Sequence, residues 1–141
     1  MKYKILKYFI AFVLFVFVSF FLISKWFFWE PYGVKRNSLV YMLKVPDVAK
    51  NFPVWGTDDS LEYDVIMADG LKPSTTIIRY NSSLSQDKLH KILLSKGYSC
   101  ETYRRDETVF CEKTPDPGVT FQMTIKIKSS HSYVKIIIIE Y

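Results

Sequence analysis

The chain has 141 residues, with 19 Lys and Arg against 14 Asp and Glu, and the net charge of +5 is unevenly placed: residues 1–30 hold four Lys and one Glu, which leaves only +2 for residues 31–141. A nucleic-acid binder concentrates basic residues on its folded part, so this distribution argues against that class and no nucleic-acid partner is expected. The length beyond the N-terminal run suffices for one small domain with one core.

The first element is that N-terminal run. From Tyr8 to Ser24 there are seventeen uncharged residues dominated by Phe, Val, Leu and Ile. Lys25 can snorkel, which extends the apolar length to Trp29 and about 33 Å of helix at a rise of about 1.5 Å per residue, enough to cross a bilayer. Trp26 and Trp29 are the interfacial aromatics expected at the end of a span. A cleaved signal peptide has a shorter apolar region ending in small residues, whereas this run ends on Phe, Leu, Ile and Trp. The reading is an uncleaved single-pass anchor. Lys2, Lys4, Lys7 and the terminal amine place the N-terminus in the cytoplasm by a narrow margin over Lys25, Lys35 and Arg36.

Residues 31–60 read as a membrane-proximal segment rich in aromatics and prolines. Within it, residues 39–45 fit a short strand or a helical turn equally well, and residues 56–60 carry loop chemistry. Strands are expected over 61–68, where Tyr63, Val65 and Met67 alternate against Glu62, Asp64 and Ile66, and over 75–80, which is β-branched and aromatic. One helix follows. Ser83 or Ser85 can cap it, Gln86 stands three residues after Ser83 in capping-box spacing, and Leu89, Ile92 and Leu93 form its apolar stripe. Gly97 is placed to end it in left-handed geometry.

Residues 98–104 and 108–113 read as a hairpin turning at Arg105-Asp106, and residues 114–118 as a rigid Pro-Asp-Pro-Gly loop. Phe121, Met123, Ile125 and Ile127 then alternate with polar residues, which puts one face in a core and one in water. The last strand, 133–141, contains four consecutive Ile and is apolar on both faces, as a central strand paired on both sides would be. The expected fold class is therefore α+β: an N-terminal transmembrane helix, then a small, mostly antiparallel sheet of four to six strands with one packed helix. The chain divides into an anchor at 1–30, the membrane-proximal segment at 31–60 and an extracytoplasmic domain at 61–141.

Cys100 and Cys111 are the only cysteines. In a hairpin turning between residues 105 and 106, opposed residues have numbers summing to 211, as 100 and 111 do. Opposed Cα atoms in an antiparallel pair stand about 4.5–5.5 Å apart, within disulfide reach. A disulfide implies an oxidising compartment, and with the charge rule this places the domain in the periplasm, anchored in a bacterial inner membrane.

Residues that could carry chemistry are sparse. His90 and His131 read as solvated, no Ser sits in a nucleophile elbow, and no spacing matches a zinc or calcium site, so no cofactor and no metal are expected. The conspicuous feature is acidic: residues 45–70 hold six acids against one base, Lys50. Asp58, Asp59 and Glu62, with Trp55 and Tyr63 as aromatic anchors, form the expected contact surface for a protein partner. The function expected is a membrane-tethered binding module of inhibitor, immunity or exclusion type, not an enzyme. An accessory subunit of an envelope complex is the alternative, and an enzyme of unknown class ranks last.

Overall fold

A 26-residue helix, α1 (Lys2–Phe27), opens the chain in the computed structural model, which describes residues 2–56, 61–103, 108–128 and 131–141. Over Leu6–Phe27, 22 residues, α1 is long and apolar enough to span a membrane, and none of it is buried against the rest of the chain. Trp26 and Trp29 stack at its end with ring centroids 5.4 Å apart.

Among the described residues the remainder is an α+β domain built on one seven-stranded sheet. Its strands are β1 (Val34–Lys35), β2 (Glu62–Ile66), β3 (Ser74–Ser82), β4 (Ser99–Tyr103), β5 (Thr108–Asp116), β6 (Val119–Lys128) and β7 (His131–Glu140). The spatial order is β1-β2-β3-β7-β6-β5-β4, and every neighbouring pair is antiparallel. The count exceeds four to six because of β1, two residues that are too few for any alternation to reveal. β7 lies centrally, paired along its length with β3 and β6, which removes the isoleucine run from any open edge.

The pleat sends alternate residues to opposite faces, and one face holds the core. Ile78, Ile136 and Met123 stand in register across β3, β7 and β6, as do Tyr80, Val134 and Ile125; all six are buried. The other face mixes Thr75, Arg79, Gln122, Thr124 and Lys135 with Ile77, Ile137 and Ile139, all half-buried.

Among the described residues three helices, rather than one, accompany the sheet: α2 (Leu39–Lys44), α3 (Asp47–Lys50) and α4 (Gln86–Ser95). The undecided segment 39–45 is helical because the Ser38 hydroxyl accepts from the Tyr41 N–H at 3.1 Å and because Tyr41 and Val45, four apart, both reach the core. Tyr41 meets Tyr63 edge-on at 5.0 Å. The membrane-proximal segment thus contributes a strand and two helices to the same core. In α4, Leu89 and Leu93 are fully buried, and the helix packs on β4, β5 and β6. Of the two candidate serines, Ser85 is its N-cap, without a side-chain bond, which puts Gln86 at the first helical position. At the other end the Gly97 N–H bonds the Leu94 carbonyl and the Tyr98 N–H bonds the Leu93 carbonyl. This doubly bonded termination needs the positive φ of +81° that Gly97 supplies.

Cys100 faces Cys111 in the β4–β5 register, and the two form a disulfide with Cα atoms 4.0 Å apart. The turn expected at Arg105-Asp106 lies outside the described residues. Thr114, Pro115 and Asp116, expected in a loop, belong instead to β5, which runs on to Asp116 across a register shift and turns through Pro117-Gly118 into β6. The disulfide staples the edge strand β4, whose residues are mostly exposed, to β5. Replacing either cysteine by Ser is expected to cost about 2–3 kcal/mol, the range for a short closed loop, read as a drop in the urea midpoint that reducing agent reproduces in the native chain.

Burial pushes the hydroxyls of Tyr63 and Tyr80 up to about 12. Unfolded tyrosine titrates near 10, so in alkaline solution the unfolded state loses these protons first. Their contribution to stability is complete below about pH 10 and is lost as pH rises from there towards about 12. Burial raises the Tyr98 hydroxyl as well, so absorbance titration of the folded chain should show at least two phenols that ionise only late, with the urea midpoint falling over that same window.

Candidate functional site

The helices do not cover the core face evenly, and an open cleft of about 490 Å³ remains. Its floor and walls are aromatic. Phe121, on the core face of β6, meets Phe52 edge-on at 5.0 Å, and Phe52 in turn meets Trp55 at 6.2 Å. Tyr98, just beyond α4, closes the far side, with Val48, Pro53 and Pro115 completing the apolar lining.

The chain holds Trp55 in place through its backbone. Its N–H donates to the Tyr80 hydroxyl at 3.4 Å, and its carbonyl accepts from the Ser82 hydroxyl at 2.8 Å. The next carbonyl, of Gly56, accepts from the Ser83 N–H at 2.7 Å. Gly56 has φ +61°, and a Cβ there would stand 2.6 Å from Leu84 Cγ and 2.8 Å from Ser82 Oγ. Only glycine fits, on both backbone and steric grounds. The segment 52–56 is therefore clamped to the end of β3, and the Trp55 ring is left half-exposed at the cleft.

The rim is polar and cationic: Asn51, Lys96 and Lys113. Lys113 donates to the Lys96 carbonyl at 2.7 Å, and its ammonium lies 5.6 Å over the Tyr98 ring, a cation–π contact that orients it. Among the described residues neither lysine has a carboxylate partner. The arrangement can desolvate an apolar or aromatic group while offering positive charge to an anion attached to it.

Among the described residues, those expected to form an acidic contact surface do not share one face. Asp58 and Asp59 lie outside the described residues. Tyr63 is a core residue, 2% exposed, because the β2 pleat turns it towards Tyr41, and it offers no contact surface. Glu62, on the opposite face of β2, stands 3.7 Å from Arg79. Asp64, from the same acidic stretch, is 3% exposed; its carboxylate takes Arg79 in two short contacts of 2.7 and 2.8 Å and the Gly33 N–H at 2.8 Å. That carboxylate is a structural tie between β3 and the strand entry at Gly33. Of the expected contact residues that are described, Trp55 alone lines the cleft. The lining side chains run in sequence from Val48 to Phe121, and proximity along the chain does not mark them. The nearest local signal is the Phe52-Pro53-Val54-Trp55 cluster, whose aromatics a core would claim equally well.

His90 is half-buried on α4, and among the described residues no three His, Cys, Asp or Glu side chains converge in a way that would hold a metal. Compared with protein-family models, with the curated proteins and with solved structures, the chain matches none.

Proposed function

We propose that this chain is a membrane-tethered binding module that captures a partner protein stoichiometrically, in the manner of an inhibitor, immunity or exclusion protein, without turnover. The observation that carries the reading is the aromatic cleft with its two rim lysines. An apolar side chain of the partner inserts between Phe52, Trp55 and Tyr98, while a neighbouring carboxylate meets Lys96 and Lys113. Aromatic pockets of this kind supply most of the energy of an interface, and rim charges set approach rate and specificity. The partner's contact is therefore acidic and apolar, matched to the rim lysines Lys96 and Lys113 rather than to a basic surface.

α1 serves as the anchor, with an apolar length that matches the bilayer and basic residues on its N-terminal flank. The disulfide suits an oxidising compartment, which supports a periplasmic domain on a bacterial inner membrane with the N-terminus in the cytoplasm.

The test uses intact membranes carrying a photoreactive amino acid at Val48, on the cleft wall, or at Lys91, on the exposed side of α4. A discrete covalent adduct with one protein is expected from position 48 and not from position 91. Adding Trp55→Ala or the pair Lys96→Glu and Lys113→Glu should abolish it, since removing a buried aromatic anchor costs about 2 kcal/mol or more of binding. Identical adducts from both positions, or adducts indifferent to these substitutions, would overturn the reading.

A further inference from the structure

The outer side of α2 is apolar where a solvated helix would be charged. Tyr41 and Val45 point into the core, but Leu39, Met42 and Leu43, spaced i, i+3 and i+4 on the opposite side, are 68%, 68% and 62% exposed. That spacing lines one face of a helix. Three large apolar side chains left together in water on a helix barely two turns long are a cost that the fold does not recover internally.

The position of α2 supplies the occupant. Lys44, its last residue, donates from Nζ to the carbonyls of Trp26 at 2.7 Å and Phe27 at 3.1 Å, and the same ammonium lies 5.6 Å over the Trp26 ring and 5.9 Å over the Phe27 ring. Trp26 and Phe27 belong to the last turn of α1, where the Trp26 carbonyl also takes the Trp29 N–H at 3.4 Å and the negative end of the helix attracts a cation. α2 is thereby pinned beside the point where α1 ends. Phe28, Trp29 and Tyr32, at the same junction, are also exposed, and Lys35 and Arg36, just ahead of α2, are exposed cations. Apolar side chains, interfacial aromatics and flanking basic residues gathered at the end of a spanning helix are the composition of an element lying in the headgroup–acyl boundary.

The geometry points to α2 as a second membrane contact: Leu39, Met42 and Leu43 insert into the outer boundary of the same bilayer that α1 crosses, with Lys35 and Arg36 on lipid phosphates, so that the domain is held at a set orientation on the membrane rather than swinging on its tether. The inference rests on α1 being an anchor, and its test separates the two.

The full chain, with the native disulfide left oxidised, is reconstituted into vesicles of phosphatidylethanolamine and phosphatidylglycerol, with a nitroxide on Met42→Cys or, as control, on Lys91→Cys. Flotation after an alkaline wash reports the anchor; chain that stays at the bottom of the gradient removes the anchor reading and this inference with it. In floated vesicles, the label at 42 should be several-fold more accessible to oxygen than to a water-soluble nickel chelate, and the label at 91 should show the reverse. Equal accessibility profiles at 42 and 91 would overturn the membrane contact and leave the anchor standing. Protection of position 42 from both oxygen and the chelate would overturn it in favour of a second copy or another protein on α2. If the cysteine at 42 disturbs the native pair, a photoreactive methionine analogue at Met42 gives the same decision: lipid adducts support the contact, and protein adducts or none refute it.

Discussion

Arg79→Ala is expected to destabilise the domain by about 3 kcal/mol, near the lower end of the range for breaking a buried ion pair. The Arg79 side chain is 32% exposed and that of Asp64 only 4%, so the substitution removes the partner that water reaches and strands the one it does not. Asp64 would keep a single bond, from the Gly33 N–H, too little to hold a buried carboxylate. Arg79→Lys should recover only part of the loss, because a single ammonium cannot reproduce the two-point fit of the guanidinium. Replacing both partners together, Arg79→Met with Asp64→Leu, should cost less than Arg79→Ala alone, since it leaves no uncompensated charge. Urea unfolding of the full chain in mild detergent measures all three. If Arg79→Ala moves the midpoint no further than an exposed lysine substitution does, Asp64 is not the tie described here.

The other large effect is at the sheet's centre. Ile136→Ala is expected to cost about 3 kcal/mol, within the roughly 2–5 found for truncating buried aliphatics, because Ile136 is fully buried between Ile78 and Met123. Its neighbour Ile137 pairs with Ile77 and Gln122 on the face that is only partly covered. Ile137→Thr keeps the β-branch and removes little buried area, and should cost under about 1 kcal/mol. Against a total stability of about 5–15 kcal/mol, Ile136→Ala alone takes a large share. Equal losses at the two positions would mean that the outer face is covered as fully as the inner one.

Several features of this protein are legible in the sequence because they depend on neighbours along the chain. The span of α1 follows from an unbroken apolar run, α4 from its period and its terminal glycine, and the inward face of β6 from strict alternation. The Cys100–Cys111 pairing follows from arithmetic about one turn, since a two-stranded register propagates residue by residue. The central place of β7 is readable because a strand apolar on both sides needs partners on both edges.

Tertiary structure alone decided the rest, and the reason is the same each time: which side of a short segment is buried depends on what distant chain comes to cover it. Residues 39–44 are too few to declare a helix by periodicity; they become one because Tyr41 finds Tyr63 and Val45 finds the core. Tyr63, expected as an anchor of a contact surface, and its acidic neighbour Asp64 are both buried, one by α2 on the core face and the other by Arg79 and the backbone of Gly33 on the opposite face. The cleft is assembled from Val48, Phe52 and Trp55 on one side and Tyr98, Lys113 and Phe121 on the other. Those two halves are brought together only when β6 pairs with β7 and β5 with β6, a non-local event that no window of sequence contains.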